Sequence, residues 1–263
     1  MRGSTGMYQD KGWGEALADG DVESIERATA AAVSPQALEE VHGWLLAFDS
    51  GTVNRAKSAV PLRHVAVREP APLVDRIEAR YAVKGMPAQF RLAASACFDG
   101  MRAELQRRAY RAEQPTLVQL APVSSVRAVS AGTADLDDAP DAAWAALFMG
   151  EGFDPADGPS RVAALGRASG SLYASVREGG QTVAAGAGAF SHGWLSVHGM
   201  RTAPAWRGRG LAGRILAALA AAAVARGMER CFLQVEAGNP AAQALYQRAG
   251  FKTAWRYDYW RRC

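Results

Sequence analysis

The turn Arg207-Gly208-Arg209-Gly210-Leu211-Ala212 constrains this chain more than any other segment. It opens the alanine-rich apolar run from Ile215 to Ala225, which has the makeup of a helix. Just upstream, Trp194 to Arg201 reads as a strand. A strand that passes through a glycine turn into a helix gathers several backbone N–H groups at the positive end of the helix dipole. Glycines let an anion approach that backbone closely. The segment therefore commits the chain to an α/β layout with a place for a pyrophosphate. A second pattern follows one strand later: Asn239-Pro240-Ala241-Ala242-Gln243-Ala244-Leu245-Tyr246, then Gly250-Phe251. It reads as a short helix with a polar residue at its mouth and a phenol near its end.

The 263 residues suffice for one large domain or two modest ones, and 49% hydrophobic content suits a folded globular chain. Ile215 to Ala225, flanked by Arg214 and Arg226, is too short to span a bilayer, so no membrane partner is expected. Met1 to Gly6 is short and polar, without a signal-peptide core. Cys97, Cys231 and Cys263 are far apart, and His42, His64 and His192 are scattered, so no metal site is expected. A reduced, cytoplasmic protein is the economical reading, with Cys231 a buried structural thiol. The net charge of +4 is dispersed, and lysine occurs only as Lys11, Lys57, Lys84 and Lys252. Without a basic run, a nucleic-acid partner is not expected.

Residues 1–20 read as a disordered leader, 21–125 as one half of the fold and 126–263 as the other. In the first half, helices are expected at Asp21 to Ala32, Pro72 to Lys84 and Phe98 to Tyr110. Strands are expected at Val41 to Asp49, Ala56 to Leu62, Gln89 to Ala93 and Thr116 to Leu120. Leu73, Val74, Ile77 and Tyr81 recur at helical spacing, and Gly85 closes that helix. After an opening strand, the second half shows helices at Ala139 to Met149 and Ser160 to Ala168. A hairpin follows, Leu172 to Arg177 with Thr182 to Phe190, and then the strand at Trp194. Past the long helix come a strand at Cys231 to Glu236, the helix Pro240 to Arg248 and a last strand at Lys252 to Trp260. The two halves share a coarse plan, which suggests an old duplication.

The second half resembles the GNAT superfamily of acyl-CoA-dependent N-acyltransferases. That family's turn, Arg/Gln-x-x-Gly-x-Gly/Ala, is matched from Arg207 to Ala212, and its Asn-x-x-Ala-x-x-Leu-Tyr-x-x-x-Gly-Phe pattern from Asn239 to Phe251. The resemblance implies a mixed sheet flanked by helices, in two tandem GNAT-like halves of which the first is degenerate. It implies acetyl-CoA as co-substrate. Met200, Arg201 and Thr202 would bond the pantetheine arm, and Arg207, Gly208, Arg209, Gly210, Leu211, Ala212 and Gly213 would cradle the pyrophosphate. Asn239 would also bond the arm, and Tyr246 would protonate the leaving thiolate.

Chemistry fits that assignment. An amine attacking a thioester must be neutral, and it needs an oxyanion donor and a proton source for the thiolate. For the base, the residues leave His198 and Glu236 open. Strand alternation places His198 on one face with Met200. Glu151, Phe153 and Asp154, on the loop between two helices, are candidates to shape the acceptor pocket. The expected activity is direct N-acetylation of a small amine, such as an amino acid, amine metabolite or antibiotic, by a monomer or homodimer. A peptide or protein acceptor, or a non-catalytic acyl-CoA-binding module, stand as alternatives. Gln234 lies where the branch acting on ribosomal-protein N-termini carries a base glutamate, which weighs against that acceptor.

Overall fold

The computed structural model describes residues 19–150 and 154–262. The first half contains α1 (Asp19–Val33), β1 (Ala37–Val41), β2 (Trp44–Phe48), β3 (Ala59–Pro61), α2 (Pro70–Val83), β4 (Phe90–Ala93), α3 (Asp99–Arg107) and β5 (Tyr110–Pro122). The second contains α4 (Val123–Arg127), β6 (Asp135–Asp137), α5 (Ala142–Ala146), α6 (Asp157–Gly166), β7 (Leu172–Glu178), β8 (Gln181–Ser191) and β9 (Trp194–Thr202). It ends with α7 (Leu211–Val224), β10 (Arg230–Glu236), α8 (Pro240–Arg248) and β11 (Lys252–Arg262).

All strands join one 11-stranded mixed sheet in the order β1-β2-β3-β4-β11-β5-β10-β9-β8-β7-β6. That order repeats outward from its centre. β3 runs parallel to β4, as β9 does to β10, and the flanking pairs β1-β2, β2-β3, β7-β8 and β8-β9 are all antiparallel. The final strand of each half is exchanged: β11 pairs with β4, and β5 pairs with β10. β5 and β11 pair with each other in the middle. The expected boundary near residue 125 falls in α4, and the sheet runs unbroken past it.

Packing follows the sequence pattern. Leu73, Val74, Ile77 and Tyr81 are the buried stripe of α2. On α7, Ile215, Leu216 and Leu219 are fully buried against the second half's strands. β8 is buried along most of its length because α1 and α7 both lie across it. The first half's helix α1 is thus fastened to the second half's strands. Trp194 Nε1 donates to Ser24 Oγ (2.9 Å), Gln234 Nε2 donates to Thr29 Oγ1 (2.9 Å), and Arg230 pairs with Asp21 (2.6 Å). Beneath the sheet centre a buried ion pair, Arg91–Glu26 at 2.5 Å, ties β4 to α1.

Three expected elements are corrected. Val41 to Asp49 is two strands, because His42 (φ 50°) and Gly43 (φ 76°) adopt the left-handed pair that a tight hairpin turn requires. His192 and Gly193 (φ 51° and 79°) close the β8-β9 hairpin in the same way. The helix expected from Ala139 to Met149 begins only after Asp141, whose carboxylate caps the Trp144 amide (2.7 Å), and it is Ala142–Ala146. The helix expected to reach Tyr110 stops at Arg107, and Ala109 (φ 62°) reverses the chain into β5.

Candidate active site

β9 and β10 pair in parallel only through Leu195–Cys231, Ser196–Phe232 and Val197–Leu233. Beyond Val197 they part. The cause is a bulge in β9: Ala187 opposes His198 and Ala185 opposes Arg201, so β9 carries one extra residue there. Gly199, with φ 61°, takes the conformation the bulge needs. It also lies so close to Leu165 and Phe148 that a Cβ would fall 2.8 Å from Leu165 Cδ1. The bulge breaks the expected alternation of His198 with Met200, yet both residues line the gap. One edge of this part of β9 pairs with β8, which leaves the other edge's amides and carbonyls for a ligand.

A cavity of about 660 Å³ occupies the split. His198, Met200, Arg201, Glu236, Asn239 and Tyr246 all line it, as does Asp154. Thr202 pairs with Ala184 and lies just outside that lining, as do residues 207–213. Of the latter, residues 207–210 form an exposed turn past the end of β9, and 211–213 open α7.

In that turn Gly208 (φ 76°) and Gly210 (φ 74°) are left-handed, and a Cβ on either would meet open space. The open side faces the first-turn amides of α7 that have no intrahelical acceptor, an arrangement that suits an anion. Leu211 is buried and Ala212 half-buried at the helix start. Gly213 is buried and donates its amide to the Gly210 carbonyl (3.0 Å). Arg209 stacks over the Trp206 ring at 4.6 Å, and Arg207 Nε donates to the Thr202 carbonyl (3.4 Å). Both contacts hold the turn's shape.

Asn239 caps α8: its Oδ1 accepts the Ala242 amide (3.1 Å), and its amide nitrogen keeps two donors. Tyr246, in edge contact with the Phe251 ring, is buried, and burial pushes its phenol up to about 12, so it keeps its proton at neutral pH. His198 is 4% exposed, and its Nε2 is buried without a partner. Burial, helped by the positive charge of Arg55, holds the ring down to about 3, so it is neutral. Burial with neighbouring Arg161 lowers Arg201 to about 10. Glu236 is exposed and accepts from Gln114 Nε2 (2.7 Å), whose Oε1 accepts from Asn54 Nδ2 (2.9 Å). Asp154 Oδ1 accepts the amide of Ala156 (2.7 Å), the residue just before α6. Glu151 and Phe153 lie outside the described residues.

Several cavity residues had no place in the sequence reading. Thr52, Asn54 and Arg55 come from the first half's 3-10 turn (Asn54–Ala56) and its approach, and Gln114 comes from β5. Tyr257 and Tyr259 line the cavity from β11. Tyr257 donates to Gln234 Oε1 (2.8 Å), so Gln234 is engaged on both sides of its amide. The Gly199 bulge carried a signal, a lone glycine inside a strand. The first-half residues carried none: the exchange of strands brings in Gln114, and Thr52, Asn54 and Arg55 sit at a short turn without a pattern. Cys231 is buried and burial pushes its thiol up, as a structural thiol requires. Among the described residues there is no group of His, Cys, Asp and Glu that could hold a metal, and no helix long and apolar enough to cross a membrane.

Known proteins share this architecture. A GCN5-related N-acetyltransferase from Kribbella flavida is 18% identical, with 93% of this chain and 96% of that one covered and a TM-score of 0.70. One from Sphaerobacter thermophilus is 18% identical, with 94% of each chain covered and a TM-score of 0.57. A tandem GNAT protein from the clavulanic acid biosynthesis pathway is 13% identical, with 95% and 90% covered and a TM-score of 0.58. No curated protein matches the chain. Residues 19–260 match the family model described as "Probable histone acetyltransferase Rv0428c C-terminal". The chain belongs to that acetyltransferase family, and with it to the GNAT superfamily.

Proposed function

We propose that this chain transfers the acetyl group of acetyl-CoA directly to the primary amine of a small molecule, in a ternary complex. The observation that carries the reading is the split between β9 and β10. At its far end lies an open glycine turn, and inside it one cavity collects His198, Glu236, Asn239 and Tyr246. The turn amides of 208–212 bind the pyrophosphate. The unpaired edge of β9 around Met200 and Arg201, with the Asn239 amide, binds the pantetheine arm.

Bound side by side in the split, amine and thioester react at high effective concentration. An incoming ammonium must first lose a proton. Glu236, exposed and oriented by Gln114, takes it, directly or through water. His198, held neutral, offers its unpartnered Nε2 to the amine N–H as the nitrogen attacks the carbonyl carbon. Free amides of the β9 edge stabilise the oxyanion. Collapse expels the thiolate, and Tyr246 protonates it.

The family description names a histone acetyltransferase, and a lysine side chain is also a primary amine. The cavity's lining sets Arg55, Arg161 and Arg201 against Asp154, Asp157 and Glu236, so it is not the acidic groove that a basic tail would select. Tyr246→Phe tests the mechanism: turnover should fall about 10²-fold while acetyl-CoA affinity holds. Unchanged turnover removes Tyr246 as the acid.

A further inference from the structure

We infer that the acceptor is a small amino acid whose carboxylate pairs with Arg55, an assignment that rests on the acetyltransferase reading above. Arg55 belongs to the first half's 3-10 turn and lines the cavity beside His198, Tyr257 and Tyr259. The lining sets Arg55, Arg161 and Arg201 against Asp154, Asp157 and Glu236, and Arg55 stands out by its pairing rather than by the total. Arg91 is matched by Glu26 at 2.5 Å, with both side chains almost fully buried. Arg161 is matched by Asp157 at 2.9 Å. Arg55 has no hydrogen-bond or ion-pair partner among the described residues, and its Nε is buried and unsatisfied. Its charge bears on Glu26, His198 and Tyr259, which places it centrally.

Arg55 is half-buried with its Nε shut away from solvent, and a planar carboxylate satisfies the forked donors of such a guanidinium better than any other common group. The opposite charge lies in the same cavity. Asn54 donates to Gln114, and Gln114 donates to Glu236, so a bridge runs from the turn holding Arg55 to the carboxylate that receives the ammonium. A cavity with one cationic and one anionic pole complements a zwitterion. It does not complement a basic tail, which the chain's own net charge of +4 would also repel. A carboxylate on Arg55 further offsets the charge that disfavours protonation of His198, so the ring becomes a better base once the acceptor is seated.

The experiment follows thioester loss from acetyl-CoA with each common amino acid and its decarboxylated amine, alongside a histone-tail peptide. At least one amino acid should exceed its amine about 10- to 100-fold in kcat/KM, the range expected of one charge-assisted contact. Arg55→Gln should collapse that ratio through the amino acid's KM, and Arg55→Lys should restore part of it. Retained acetyl-CoA affinity shows that both variants are folded. Equal use of amino acid and amine overturns the inference, as does an Arg55→Gln loss shared by both, or acetylation of the peptide alone. So does bound acetyl-CoA with every amino acid untouched. If wild-type protein fails to bind acetyl-CoA, the acetyltransferase reading itself falls.

Discussion

The two parallel strand pairs, β3-β4 with α2 and β9-β10 with α7, are built on one plan and differ in their chemistry. Each has a hollow of similar size beside it, about 620 Å³ near the start of α2 and about 660 Å³ in the β9-β10 split. Volume therefore does not separate them. The turns do. Glu69 is the N-cap residue of α2, without a side-chain cap bond, and Pro70 and Pro72 follow it, so a carboxylate flanks that turn and two first-turn N–H groups are missing. Before α7, Gly208 and Gly210 leave the backbone bare and the amides open. The gaps differ as well. In the first half His64 packs edge-on against Phe98 (5.7 Å) and Trp255 (5.2 Å), and Phe90 meets Trp44 and Tyr110, so aromatic rings fill the interior. In the second, the Gly199 bulge turns β9 aside and leaves a cavity. The lesson is that the shared topology supplies a cleft, and a handful of residues decides what each cleft can accommodate.

The strongest way to break this contrast is to bulk up matching turns. Gly210→Arg places a side chain where φ is 74° and the pyrophosphate would lie, and acetyl-CoA affinity should fall more than about 100-fold. Ala71→Arg, at the start of α2, should leave affinity unchanged when measured by calorimetry. Equal losses would mean that the halves share the cofactor. A smaller effect sharpens the cost of the polar cavity. His198 titrates near 6.5 when the chain is unfolded and near 3 when folded. Its contribution to stability is fully present above pH 6.5. It is lost as pH falls toward 3, because the unfolded state binds a proton that the folded state refuses. Across that window wild-type stability should decline by up to about 1.4 kcal/mol per pH unit more than that of His198→Asn. Parallel urea titrations of both proteins give the slopes, and identical slopes would mean that the ring is not buried neutral.

Much of the second half was legible because its signals are local. The glycine turn, the Asn239 cap and the burial of Tyr246 each depend on a few neighbouring residues, and the sequence spacing set them in order. The amphipathic stripe of α2 was readable for the same reason. What escaped the sequence is long-range. Nothing in Lys252 to Trp260 tells that β11 will cross to β4, or that β5 will sit beside β10. That exchange is what carries Gln114 into the cavity and sets Tyr257 and Tyr259 in its lining. Arg55, in a short 3-10 turn of the first half, had no pattern to mark it. The aromatic alternation of β11 was visible, but the choice between core and cavity depended on which strands flank it.

The most direct test of the central claim, that one half alone is built to hold the cofactor, is a calorimetric titration of acetyl-CoA into the wild-type protein with free CoA as control. One saturable site per chain is the predicted result. Two sites would mean that the Glu69-Pro70 turn binds as well and that the contrast between the halves is false. Absence of binding would reduce the Gly208-Gly210 turn to a structural connection.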